Sequence, residues 1–284
     1  MVGHVAEGLP PAVRVSGPLE NPHLKRQSVR RPARDEMRSI MSEDKTVRIE
    51  PREPDPVRAS NILAGIPART EAMFAAFQAI NRRERKAPPW RELQILNFIR
   101  YVKMYADDLA RSYEAQRIDS VAQAMRNLLE MCIWTEFCEI SEANAKRFSD
   151  DAARDMRDMM EAVQALYISV NQTPETRLAG MIADLKSKAP AFDIEDIEAA
   201  YMPVNNAADV VGRQLGHAKV YKAASKFAHP TALLFCMKEA PAGLLDSFYE
   251  MGAKATLTCL RHIELTIRNA YPDFRYELAT GAGQ

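Results

Sequence analysis

From residue 59 onward, apolar positions recur at spacings of three and four, separated by short breaks of proline, serine or asparagine. The longest such run, 121–147 (VAQAMRNLLEMCIWTEFCEISEANAKR), predicts a central helix with Asp119 and Ser120 as its N-caps. The capping residues at 148–151 predict its end or a bend. At about 100° per residue, Arg126, Glu130, Ile133, Trp134 and Phe137 fall on one side. Val121, Met125, Leu128 and Cys132 fall on another. A helix that is apolar on two sides belongs inside a bundle rather than on its surface. A guanidinium and a carboxylate on a stripe with Trp and Phe are therefore expected to be partly desolvated. Such charges need partners, which makes this stripe the first place to look for a site.

The other elements follow from the same period. A segment over 59–83 is interrupted by Pro67. A second helix begins at Pro88-Pro89 and carries Leu93, Leu96, Ile99, Val102, Tyr105 and Leu109. The stretch 152–170 is amphipathic, and Met156, Met159 and Met160 read as core filler. A short helix lies between Pro174 and Pro190, then a loop-rich connection over 189–206 with one helical turn near 193–201. Further helices are expected at 207–216 and at 219–229, the latter stopped by Pro230; 231–237 is a brief apolar run. The last helix, 242–270, buries Leu244, Phe248, Met251, Leu260, Ile263 and Ile267, with Glu264 and Arg268 on its exposed side. No alternating pattern of strands appears. The fold class is all-α: a single irregular bundle of about six to eight helices over 58–272.

Composition adds two regions to this picture. Residues 1–57 hold eight prolines, few aromatics and no sustained period, which reads as a disordered arm; 273–284 reads as a flexible tail. Within the arm, 24–34 (LKRQSVRRPAR) carries Lys25, Arg26, Arg30, Arg31 and Arg34 without an acid. Its functional reading is a weak electrostatic contact to nucleic acid or an acidic partner; its plain reading is a solvated tail. Over the whole chain 38 basic residues balance 38 acidic ones, which argues against a generally basic nucleic-acid binder. The longest run without charge, 162–174, is too short to cross a membrane, and the N-terminus lacks the pattern of a signal peptide. Cys132, Cys138, Cys236 and Cys259 form no CxxC pair and sit in apolar patterns, so buried, reduced thiols in a cytoplasmic protein are expected.

The second stretch with chemistry is 219–230, KVYKAASKFAHP. Tyr221, Ser225 and His229 climb one side of a helix at spacings of four, with Val220, Ala223 and Phe227 opposite, facing the core. Two hydroxyls and an imidazole in line can bind a phosphate or carboxylate, or relay a proton. They also supply what a half-buried Arg126 lacks. One carboxylate, Glu130, engages only some of its five donors, so the stripe is expected to face the Arg126/Glu130 pair.

The combination of RNLLE (126–130) with YKAASKFAH (221–229) resembles an all-helical bacterial domain family of unknown function, over about 90–271. The resemblance implies that Arg126, Glu130, Tyr221, Ser225 and His229 form one cluster; it implies no activity. The helical ribonuclease domains of bacterial toxins and abortive-infection systems are similar in being helical, but their Arg-x(4–6)-His motif is absent. Arg213 and His217 have only three residues between them, and neither His229 nor His262 follows an arginine at the required distance. The chain has no GxGxxG, no P-loop, no HExxH and no GxSxG. No metal or cofactor is implied, and Asp150-Asp151 and Glu195-Asp196 read as caps and solvated charge. The leading functional reading is a helical interaction or ligand-binding domain for a protein or small molecule, in a bacterial defence or stress setting. The alternative is an enzyme or toxin acting on a phosphate-containing or nucleic-acid substrate through the five-residue cluster.

Overall fold

The computed structural model describes residues 53–170, 176–194, 196–229, 236 and 241–278. The basic run with Lys25, Arg26, Arg30, Arg31 and Arg34 lies outside them, as do the expected arm up to residue 52, the end of the tail from 279 and most of 231–237. The described chain is an all-α bundle without a strand among these residues. In order, the helices are α1 (Pro56–Ala64), α2 (Ile66–Glu84), α3 (Pro89–Glu114), α4 (Ile118–Ile140), α5 (Glu142–Ser169), α6 (Thr176–Lys188), α7 (Val204–Val210), α8 (Gln214–Ala228) and α9 (Leu244–Ala270). A 3₁₀ turn, Ala189–Phe192, follows α6. No helix among the described residues is long and apolar enough to cross a membrane.

Helix ends follow cap chemistry, and three expectations shift because of it. Asp55 accepts a bond from the Arg58 amide at 2.9 Å and so starts α1 inside the stretch assigned to the arm. Asp119 does not cap α4. The cap position is Arg117, and Asp119 sits one residue inside the helix, paired with Arg117 at 2.9 Å. The apolar run 121–147 spans two helices, because Ser141 breaks it. Ser141 is fully extended, and its hydroxyl accepts from the Asn144 amide at 3.1 Å to begin α5. The carboxylates expected to cap at 148–151 are instead buried in α5. Lys146 donates to Asp150 at 2.7 Å, while Asp151 takes Arg154 at 2.7 Å and the backbone N–H of Met202 at 3.1 Å. A cation within one turn makes their burial tolerable.

The core lies where α4, α9 and α3 meet. Met125, Leu128 and Cys132 of α4 face Leu260, Ile263 and Ile267 of α9, all buried. α9 passes so close to α3 that a Cβ on Gly252 would collide with the Leu109 side chain. Glycine is required there for closeness, not for a turn. α1 is tied across α9 by the Asp55 amide bonded to Glu250 at 3.1 Å and by Ser60 to Tyr249 at 3.1 Å. Tyr249 stacks on Tyr113 at 3.8 Å, and the Tyr113 hydroxyl donates to Asp246 at 2.6 Å. Burial first, and that carboxylate second, push the Tyr113 pKa up to about 12.

The flexible tail expected from 273 is not flexible at its start. Phe274 is buried, and the Tyr276 hydroxyl lies between Arg69 (3.0 Å) and Glu264 (3.2 Å). Tyr271 before it accepts the amides of Lys86 (3.1 Å) and Ala87 (2.8 Å), fastening the α2–α3 connection to the end of α9.

α5 divides. Its first half packs on α3 and α4, whereas its second half packs on α6, which also meets the 3₁₀ turn and reaches the 196–200 connection through Lys186 and Glu198 at 3.0 Å. Here the core-filler reading fails: Met160 is buried, but Met159 is 59% and Leu166 62% exposed, and Met156 and Val163 face solvent too. The connection read as loop-rich is clamped instead. Arg154 donates to the carbonyl of Asp196 at 3.1 Å, and Arg157 donates to those of Ile197 and Ala199.

Candidate ligand site between helices α4 and α8

Gly212, at φ 70°, makes the turn between α7 and α8, a backbone region in which L side chains are strained. α8 then packs on α4. Ala224 is fully buried, and the Phe227 ring meets Phe248 of α9 edge-on at 5.7 Å, the contact with the long C-terminal helix that its position in the stripe implied. Ala223 is exposed rather than core-facing, because the buried line runs through Ala224, about 100° further round the helix. Val220 is half-buried.

This orientation brings four of the five candidate residues into contact. The Arg126 guanidinium donates through Nε to Glu130 Oε1 at 3.3 Å and through Nη2 to the Tyr221 hydroxyl, while Nη1 lies 2.7 Å from His229 Nε2. An arginine N–H can only donate, so His229 accepts through Nε2 and carries its ring proton on Nδ1. The guanidinium also lies 4.0 Å from the centre of the Tyr221 ring, within cation–π range. The side chains of Arg126 and Glu130 are 16% and 30% exposed, so the pair is partly desolvated; His229 is at the open end. Ser225 lies on the same stripe, and its hydroxyl is buried with no hydrogen-bond partner among the described residues.

A sixth member went unread in the sequence. His217, one turn before Tyr221, extends the stripe to His217, Tyr221, Ser225 and His229. It is 6% exposed, its ring centre is 5.0 Å from that of Tyr221, and neither ring nitrogen has a hydrogen-bond partner among the described residues. Burial holds its pKa below the ordinary imidazole value; Arg126 adds to that and Glu130 opposes it. The signal was available as one more step of four along the helix. Arg213, the other half of the failed ribonuclease spacing, is bonded to Glu136 instead.

Arg126, Glu130 and Tyr221 of the cluster form one wall of a cleft of about 560 Å³, completed by Trp134 of α4, Asp151 and Asp155 of α5, Tyr201 from the clamped connection and Val204 at the start of α7. A second cleft of about 620 Å³ adjoins it, lined by Trp90, Tyr101 and Tyr105 of α3 and Met131 of α4. The two share Phe148, Ala152 and Asp155. Trp134 stands 4.8 Å from Phe148, so the shared wall is aromatic.

Other titratable groups lie on the far side of α4. His262 lies between Glu139 at 2.5 Å and Glu136 at 3.8 Å. Cys132, Cys138 and Cys259 are buried free thiols, while Cys236 is exposed, contrary to the uniform burial expected. Among the described residues no group of three His, Cys, Asp or Glu side chains could hold a metal ion. No protein-family model, no curated protein and no solved structure matches the chain.

Proposed function

We propose that this chain is a ligand-binding helical domain whose site is the cleft walled by the α4–α8 cluster. The observation that carries this reading is the state of α8's polar stripe. Tyr221, which lines the cleft, and His229 hold the Arg126 guanidinium on its wall; His217 and Ser225, which do not line it, keep buried polar atoms without a partner among the described residues. A guanidinium fixed between a carboxylate, a phenol and an imidazole on the wall of a cavity is a placed polar group of the kind that orients a bound molecule. The cleft volume lies within the range of about 300–1,000 Å³ typical of small-molecule sites. The setting proposed is the bacterial cytoplasm, which suits three buried thiols left free.

The test is a thermal-shift screen of the full chain against a mixed panel of nucleotides, carboxylates, amines and short peptides. Ligands of the cleft should raise the melting temperature of the wild type and lose that effect in Tyr221→Ala and Trp134→Ala. Stabilisation that persists undiminished in both variants would place the site elsewhere.

A second reading rests on one feature. His229 is exposed beside the Arg126 guanidinium, an arrangement that can pair anion binding with proton transfer on a phosphate-containing substrate. Incubation with RNA and with nucleoside triphosphates decides it: hydrolysis that disappears in His229→Gln supports an enzyme, and its absence in the wild type rejects one.

A further inference from the structure

We infer that the joined clefts take an organic cation with an apolar or aromatic body, its ammonium group seated between Asp155 and Glu130. This rests on reading the α4–α8 cleft as a binding site and names the chemistry of what enters it. The charge of the lining points one way. Arg126 is the only basic side chain among the described lining residues of the two cavities, and Glu130, Tyr221 and His229 already engage three of its five donors. Against it stand three carboxylates. Asp151 is neutralised by Arg154, and Glu130 is shared with Arg126 at a long 3.3 Å. Asp155 is exposed on α5, on the wall common to both cavities, and has no ion pair or hydrogen bond among the described residues. An anion entering here meets an unpaired carboxylate and an arginine with three of its five donors already bonded. A cation meets the reverse.

The shape of the lining supplies the rest. Trp134, Phe148 and Tyr201 surround the acidic end, and ring faces attract a cation that has left water. The adjoining cavity presents Trp90, Tyr101 and Tyr105 with Leu93 and Met131, and Asp155 is the one charged side chain among its described lining residues. That is a receptacle for the uncharged part of the same molecule. The ligand class is therefore an alkyl or aryl ammonium rather than a phosphate, a carboxylate or a compact inorganic ion.

The two tryptophans of the chain stand one in each cavity, Trp134 at the acidic end and Trp90 in the apolar one, so emission reports occupancy without a label. The experiment titrates the full chain at low salt with benzyltrimethylammonium and, as an anion of similar body, with benzylphosphonate. The ammonium should give a saturable change that diminishes in both Trp134→Phe and Trp90→Phe, and the phosphonate should give none. Asp155→Asn, at an exposed position where folding is undisturbed, should raise the Kd for the ammonium about tenfold, and added salt should weaken wild-type binding. Three results overturn the inference: no saturable response to the ammonium, tighter binding of the phosphonate, or an unchanged Kd in Asp155→Asn. Phosphonate binding that depends on Tyr221 would reject the cation and leave the cleft standing as a site. The reading of the cleft itself fails only if the wider panel yields no ligand sensitive to Tyr221 or Trp134.

Discussion

The α3–α4–α9 core and the α5–α6 spur are written in the same hydrophobic code and are used differently. Both carry large apolar residues at spacings of three and four. In α4 and α9 those positions are closed from several sides, so Leu128, Leu260 and Phe248 are buried. In the second half of α5 a single neighbour, α6, covers one side, and Val163, Leu166 and Ile168 stay in solvent. What holds the spur's base is polar: Asp151 and Arg154 together, and the two arginines bonded to the carbonyls of 196–199. Periodicity states which face of a helix prefers burial. Whether that face is buried depends on how many neighbours arrive.

The sharpest break in this comparison is Phe248→Ala, which removes a buried ring packed on Phe227 and should cost about 3–5 kcal/mol in chemical denaturation. A loss below about 1 kcal/mol would mean that the core centre lies elsewhere. Asp151→Ala should come next, at about 2 kcal/mol, because it removes a buried carboxylate bonded to Arg154 at 2.7 Å and takes the acceptor from the Met202 amide. Hydrogen exchange at Met202 should accelerate selectively; uniform acceleration across the bundle would contradict a local clamp. At the site, Glu130→Ala should cost only about 1 kcal/mol. The pair is part-exposed, and Tyr221 and His229 still hold Arg126.

His217 contributes a pH dependence of smaller size. Its folded-state pKa lies below the ordinary 6.5, so above that value it is neutral in both states and its contribution to stability is fully present. As the pH falls through 6.5 the unfolded chain takes up the proton first, and stability is lost until the folded pKa is reached. The difference in stability between pH 7 and pH 5 should therefore shrink in His217→Gln, and an unchanged difference would show that the ring is not desolvated. The smallest effect is expected in the spur: Leu166→Ala should stay within about 0.5 kcal/mol. A cost near that of Phe248→Ala would show that the exposed face is covered in solution.

The candidate cluster was legible because it depends on two helical periods and one counting argument. Arg126 and Glu130 share a stripe by spacing, Tyr221, Ser225 and His229 share another, and a half-buried guanidinium needs acceptors. His217 was one step further along the same stripe. It was passed over because it was weighed only against an arginine before it in sequence, whereas its ring neighbour is Tyr221. Tyr201 and Asp155 carried no signal at all. They reach the cleft through the 189–202 connection and the early turns of α5, whose placement rests on Arg154, Arg157 and Asp151 bonding across 40 residues or more.

Local chemistry determined what this sequence could settle alone: an all-α chain, helices beginning at Pro89 and ending before Pro230, an interior α4 and a polar stripe on α8. These follow from backbone geometry and side-chain period, which act over a few residues. Tertiary structure decided that Asp150 and Asp151 are buried rather than capping, because the first half of α5 packs on α3 and α4 and Asp151 takes the distant Met202 amide. It also decided that the methionine-rich face of α5 stays bare and that two aromatic clefts join at Asp155. Burial and cavity shape depend on which surfaces meet, and that is a property of pairs of segments far apart in the chain, which no single stretch of residues encodes.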